Sequence, residues 1–411
     1  MEYKKLGDIA TFINGYAFKP SDRGEVGLPI IRIQDLTGNG YDLGFYNGEY
    51  PKKVEINNGD ILISWSASLG VYVWNNGKAL LNQHIFKVVF DKVEIDKYYF
   101  VFAIQYYLDE MKRKTHGATM KHIVKKDFDC TLIPYPSVEK QREISNILLK
   151  VKYIIDTRKK QLEEYDELIK ARFVEMFGDP ITNPMRWEKA LLSKVIDVVG
   201  GYAFKSGDFN EDYGVPVLRI GNINSGYFKP VNMVYWNEDE KLEKYAIYPG
   251  DLVVSLTGTV GKNDYGNVCI IGDDYNMYYL NQRNAKLSIE GEINKYYLAQ
   301  LLKYEAIKQK LTGISRGVRQ ANISNADILN LIIPIPPLAK QNQFADFVKL
   351  IYKSKFVEEK NLIIMCKIKR SLYYDQFWFP KKRKTIWEFC RCCHICRENF
   401  IYRYRCICAE L

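Results

Sequence analysis

Side chains able to hydrogen-bond to nucleic acid gather at a few places in this chain. The hydroxyl-rich turn Ser64-Trp65-Ser66-Ala67-Ser68 has a counterpart in Ser255-Leu256-Thr257-Gly258-Thr259. Either can donate to phosphate oxygens or base edges, or simply satisfy its own hairpin turn. Asn82-Gln83-His84 and Asn281-Gln282-Arg283 carry amide and guanidinium groups whose geometry suits adenine and guanine edges. An Asn-Gln pair present twice can equally cap a strand.

Two basic, glycine-containing turns complete the set. One runs through Lys114, His116, Gly117, Thr119 and Lys121, and the other through Arg316, Gly317, Arg319 and Gln320. Glycine lets the backbone approach a phosphate closely and the cations release counterions. A solvated charged loop is the competing reading. Four further cations, Lys19, Lys205, Arg32 and Arg219, sit in short phrases that occur twice and join the candidates.

Catalytic chemistry has little to work with. Four histidines, His84, His116, His122 and His394, make no recognisable triad with a serine and a carboxylate. The stretch Ser255-Leu-Thr-Gly-Thr-Val-Gly261-Lys262-Asn263 imitates a phosphate-binding loop, yet Leu256 replaces its first glycine and Asn263 its magnesium-binding hydroxyl. Pro336-Pro337 is followed by Leu338 rather than by the aromatic residue an amino-methyltransferase motif needs. A chain that is not an enzyme, with no cofactor or metal of its own, is the expectation.

The formal charge of +10 would suit a nucleic-acid partner, but nine of the ten surplus charges lie after residue 336. Bulk charge therefore does not mark the two large segments, whereas the basic turns do so locally. No run approaches eighteen apolar residues and the first residues, MEYKKLGDIATFING, lack the apolar centre of a signal peptide. A cytoplasmic protein is expected.

The candidate residues are positioned by an internal repeat. Gly15-Tyr-Ala-Phe-Lys19 returns as Gly201-Tyr-Ala-Phe-Lys205, Pro29-Ile-Ile-Arg-Ile33 as Pro216-Val-Leu-Arg-Ile220, and Gly59-Asp-Ile-Leu-Ile-Ser64 as Gly250-Asp-Leu-Val-Val-Ser255. Leu81-Asn82-Gln83 answers Leu280-Asn281-Gln282, Ile133-Pro-Tyr-Pro136 answers Ile333-Pro-Ile-Pro336, and Lys140-Gln141 answers Lys340-Gln341. So many phrases in one order imply duplicated scaffolds, and drifting offsets between them imply loops of different length. Short Ile/Val runs bounded by Gly, Asn or Asp predict strands, and 98–114 and 295–311 predict helices.

After each copy comes a long helical stretch. Ile144, Leu148, Val151, Ile155, Arg158, Leu162, Tyr165, Ile169, Arg172 and Met176 keep a four-three step with only the two arginines out of register. The span is about 55 Å at roughly 1.5 Å per residue. Shifted by 200, the second stretch offers Phe344, Val348, Ile351, Leu362, Met365 and Leu372, but places Lys355, Glu358, Lys369 and Gln376 on the seam. Each helix could pack on its own domain, or the two could pair antiparallel and bury both seams.

Over about residues 1–379 the ordered phrases, with the exits IPYPSVEKQREI and IPIPPLAKQNQF and the closing KARFVEMFGDP, resemble the specificity subunits of type I restriction-modification enzymes. The resemblance implies an α+β architecture, a tandem repeat of an α/β target-recognition domain followed by a long helix. The two helices would pair as an antiparallel coiled-coil spacer. The domains expected are residues 1–136 and 184–336 for recognition, 137–183 and 337–379 for the spacer, and a basic Cys-rich tail at 380–411. Such a subunit reads one half of a split double-stranded DNA target with each domain, the spacer length setting the gap. It has no catalysis of its own, binding two modification (methyltransferase) subunits and, through them, restriction subunits. S-adenosylmethionine, ATP and magnesium would reside on those partners. A DNA-binding module of another defence complex, or a protein-binding scaffold, remains an alternative. The tail departs from the family: Cys393-x-x-Cys396 and Cys406-x-Cys408 could bind zinc, against the plainer reading of an extension without selected function.

Overall fold

The computed structural model describes residues 2–40, 42–114, 125–259, 262, 264–313 and 320–377. The backbone forms two units, one made by residues up to 157 together with the chain from 364, the other by residues 158–363. The tail beyond residue 377 lies outside the described residues.

In the first unit an antiparallel sheet has the order Thr11–Asn14, Ile85–Val89, Ile61–Ser64, Gly70–Val73. All four residues of Ile61–Ser64 are buried, so the strand reads as continuous apolar sequence rather than as alternation. A second sheet has the order Phe45–Tyr46, Leu28–Ile31, Ala79–Leu81, Glu55–Ile56, its middle pair parallel. Tyr3–Lys5 pairs with Leu132–Pro134, so that the start of the unit is tied to its exit. The helix Lys97–Lys114 covers the first sheet, packing Tyr99, Phe100, Phe102 and Ile104 with Phe12, Phe86 and Phe128.

The second unit repeats this plan. One sheet runs Ile196–Gly200, Asn284–Ile289, Leu252–Ser255, Val268–Ile270, and the other Val234–Trp236, Val215–Leu218, Tyr278–Leu280, Ala246–Ile247. Lys189–Leu191 pairs with Ile332–Pro334. An additional ribbon joins Thr257–Thr259 to Gln320–Asn322. The helix expected over 295–311 is two helices, Lys295–Lys303 and Glu305–Thr312. Tyr304 between them is extended at φ −64° and ψ 123°. Its hydroxyl donates to the Asp179 carboxylate, a tertiary bond that takes the place of helix continuity.

The repeated exit phrases are explained by one buried side chain per unit. Gln141 is fully buried, its amide donating to Pro136 O at 2.8 Å and its Oε1 accepting from Asp96 N at 2.9 Å. Gln341 does the same between Pro336 O, 2.7 Å, and Asn294 N, 2.8 Å. Each glutamine therefore clamps the proline exit to the start of a domain helix. Tyr99 and Tyr297 reinforce the joint by donating to Pro134 O and Pro334 O at 2.9 and 2.8 Å.

Two 40-residue helices, Val138–Phe177 and Leu338–Phe377, follow the domains. Within the second unit their segments run antiparallel: Arg158 meets Glu358, Asp166 meets Lys355, and Phe173 meets Phe344. Within the first, Tyr373 joins Ile144 and Leu148 in the domain core. Both long helices thus contribute to each unit's core. The strict heptad does not persist. Ile144, Leu148, Val151 and Ile155 are buried in register, but later Phe173 and Phe177 are buried in place of Arg172 and Met176. The second helix likewise moves from Met365 and Leu372 to Cys366 and Tyr373. A straight helix of 3.6 residues per turn drifts about 20° per heptad, which accumulates to one position over each helix.

Candidate nucleic-acid interface

The phrases that occur twice in the sequence meet in space within each unit. In the first, Tyr16 N donates to Leu81 O at 2.8 Å and Gln83 N to Tyr16 O at 2.9 Å, so the Gly-Tyr-Ala-Phe phrase lies along Leu-Asn-Gln. Trp65 N donates to His84 O at 3.2 Å, bringing the hydroxyl turn alongside. The second unit makes the same bonds from Tyr202 N to Leu280 O and from Gln282 N to Tyr202 O, 2.8 and 2.9 Å, with Leu256 N reaching Arg283 O at 2.8 Å. Asn82 N and Asn281 N bond to Ile31 O and Leu218 O, which adds the Pro-x-x-Arg phrase to each cluster.

Glycine is required at the crossing. A Cβ on Gly15 would stand 2.0 Å from Asn82 O, and one on Gly201 2.2 Å from Asn281 O. The two backbones touch there, and no side chain fits between them.

The side chains divide into those turned to solvent and those used by the fold. Gln83, Gln282, Arg283, Lys19, Lys205, Ser68 and Thr259 are exposed. Asn82 and Asn281 are half-buried, the Asn82 Oδ1 accepting from Gln83 N at 2.8 Å and that of Asn281 from Arg283 N at 3.3 Å. The strand-capping alternative therefore describes the asparagines, while Gln83, Gln282 and Arg283 after them face outward and His84 is half-buried. Ser64 is buried and donates to Ser68 O, closing the turn, and Ser66 is buried as well. Thr257 is half-buried, and the Thr259 hydroxyl bonds to the Asp264 carboxylate at 3.1 Å.

Both repeated arginines brace loops. The Arg32 guanidinium holds Asp35 through Nε at 3.0 Å and Nη2 at 3.1 Å and also binds Asp42 O. That bonding to Asp35 raises its pKa further above the ordinary arginine value. Arg219 donates to Asn232 O at 2.6 Å. His84 sits at φ 72°, with its ring edge-on to Trp65 at 4.9 Å. Of the basic turns, His116, Gly117, Thr119, Lys121, Arg316, Gly317 and Arg319 lie outside the described residues. Lys114 ends its helix, and the Gln320 backbone stands opposite Thr259.

Sequence reasoning passed over Tyr16 and Tyr202. They are 38% and 37% exposed at the centre of the two clusters, each ring edge-on to Phe18 or Phe204 at 4.9 Å. Their place in a repeated phrase, Gly15–Lys19 and Gly201–Lys205, was the available signal.

Comparison with known proteins matches the type I restriction modification DNA specificity domain twice, over residues 1–164 and 184–364. The MjaVIII type I restriction enzyme specificity subunit of Methanocaldococcus jannaschii is 27% identical over 317 residues, 73% of this chain and 74% of its own. The EcoBI specificity subunit of Escherichia coli is 22% identical over 84% of this chain and 78% of its own. Among solved structures, the type I restriction-modification S subunit of M. genitalium superposes with a TM-score of 0.54 over 92% of this chain and 96% of its own, at 14% identity. No helix among the described residues is long and apolar enough to cross a membrane. The chain belongs to the type I restriction-modification specificity subunits, carrying two DNA specificity domains in tandem and no catalysis of its own.

Proposed function

We propose that this chain directs a type I restriction-modification complex to a split double-stranded DNA sequence, each domain reading one half. The observation that carries the reading is the convergence, in both units, of the same repeated phrases on one cluster with exposed hydrogen-bonding side chains beside it. Duplicated scaffolds with different loops suit two half-sites of different sequence. Methyltransferase subunits dock on the chain and restriction subunits join through them, while S-adenosylmethionine, ATP and magnesium belong to those partners. The length of the long helices sets the gap between half-sites.

Mapping methylated adenines in the host genome tests the proposal. A split motif with a fixed gap is the expected result, and exchanging residues 1–136 for another such domain should change only one half of it. A genome in which the chain's deletion alters no methylated motif overturns the reading.

A further inference from the structure

The internal repeat supplies two versions of one surface, and the comparison separates what they share from what they do not. Shared are an exposed tyrosine, an exposed lysine three residues on and an exposed glutamine: Tyr16, Lys19 and Gln83 in one unit, Tyr202, Lys205 and Gln282 in the other. Their placement is shared too. The tyrosine backbone takes part in two hydrogen bonds to the strand end that carries the glutamine. Its ring leans on a phenylalanine at 4.9 Å in both units, with interplanar angles of 69° and 75°. Among the described residues neither tyrosine hydroxyl has a hydrogen-bond partner in the protein. A phenol whose ring is packed on a phenylalanine, with an exposed lysine three residues on and an exposed glutamine on the strand end bonded to its backbone, suits an anionic oxygen.

What differs lies next to it. His84, at φ 72° and edge-on to Trp65, occupies the position of Arg283, and Leu256 stands where Trp65 does. Ser66-Ala67-Ser68, with Ala67 at φ 57°, corresponds to Thr257-Gly258-Thr259. The two half-sites of a split target differ in bases but present the same sugar-phosphate backbone. A group identical in both domains can serve what is common to both half-sites, and only a group that differs can distinguish them.

Resting on the DNA reading above, we infer that Tyr16, Lys19 and Gln83, with Tyr202, Lys205 and Gln282, grip phosphates of their respective half-sites. His84 and Arg283 are the base-reading residues, one per domain. Arg283 has the donors for a guanine edge, whereas His84 offers one donor or acceptor to a purine. The shared grip sets the register in which the differing residue meets the bases.

The test selects double-stranded DNA from a randomised library with the complex that the full chain forms in its host. Tyr16→Phe and Tyr202→Phe keep the ring and remove one hydroxyl; each should weaken binding roughly 10-fold while returning the same motif. Lys19→Ala and Lys205→Ala should each lower the log–log salt slope by about 0.9, again with the motif unchanged. Arg283→Ala should make one or two positions of a single half-site degenerate, with discrimination there falling roughly 5- to 150-fold. His84→Asn, chosen because asparagine tolerates the left-handed backbone, should do so in the other half-site. Altered base preference in a tyrosine or lysine variant, or unaltered preference in both His84→Asn and Arg283→Ala, overturns the division. A native complex that returns no motif at all overturns the DNA reading beneath it.

Discussion

Arg158 and Glu358, each a polar interruption of an apolar seam, stand against one another in the second unit with Nη1 2.8 Å from Oε2. The approach is an ion contact rather than an aligned hydrogen bond, since Glu358 Oε2 finds no donor in line and Arg158 Nη1 donates to Gln161 Oε1 at 3.0 Å. Lys355 and Asp166 form a second pair between the same helices, here with Lys355 Nζ donating to Asp166 Oδ1 at 2.6 Å. Two of the charges that weakened the second helix's heptad, Glu358 and Lys355, therefore meet opposite charges on the first. A partly buried pair of this kind costs more to break than to replace.

Arg158→Leu or Glu358→Leu alone should then destabilise the chain by about 1–2 kcal/mol, between the surface and buried limits for ion pairs. The double replacement should cost less than the sum, because two leucines extend the seam and leave no stranded charge. Calorimetric unfolding of the four proteins provides the cycle, and additive losses would show that the pair is not coupled.

Strands, the order of elements and the existence of both long helices were legible because duplicated phrases and apolar runs report local structure. The heptad seam was legible only at first. Arg172 was read as a flaw because a 3.5-residue repeat was carried through a helix that keeps 3.6, and Phe173 was missed for the same reason. The break at Tyr304 was invisible, since its cause is a hydroxyl bond to Asp179, distant in sequence. In the candidate site, exposed Gln83 and Arg283 could be named from residue type. Arg32 could not be assigned to loop bracing, because Asp42 becomes its partner only when the loop folds back.

The Gly-Tyr-Ala-Phe phrase should tolerate no larger residue at its first position. Gly15→Ala and Gly201→Ala each drive a Cβ to within 2.0 and 2.2 Å of a carbonyl oxygen, and each should cost about 2 kcal/mol or more. Gly207→Ala, with nothing within 4 Å of the added methyl, should change stability by no more than about 0.5 kcal/mol. Equal melting temperatures for Gly201→Ala and Gly207→Ala would refute the interlock.

Lys308 is buried at 6% exposure and its Nζ donates to Asn267 Oδ1 at 2.6 Å. Burial lowers its pKa below the ordinary lysine value of 10.5, with Glu305 and Asp264 opposing. The unfolded chain therefore binds this proton more tightly than the folded one, and stability rises with pH through the interval just below 10.5. Lys308→Met removes the titration. Wild-type protein should gain stability relative to Lys308→Met as pH climbs through that interval, and denaturation curves at pH 8 and 10.5 measure the difference. A constant gap between the two proteins would mean that the folded state does not disfavour the ammonium.

Arg316 and Arg319 precede Gln320, whose backbone pairs with exposed Thr259 beside the second cluster. In sequence the two cations come directly before the ribbon strand Gln320–Asn322, and phosphate contacts need no base edges. If both arginines neutralise phosphates, Arg316→Ala with Arg319→Ala should reduce the log–log salt slope of DNA binding by about 1.8, at 0.9 per phosphate released. Affinity should fall for every sequence alike, because counterion release carries no base information. Titrations of specific and scrambled duplexes between 50 and 200 mM salt would separate this from a loss of recognition. An unchanged slope assigns the two arginines to protein surface, and a loss confined to the specific duplex assigns them to base reading instead.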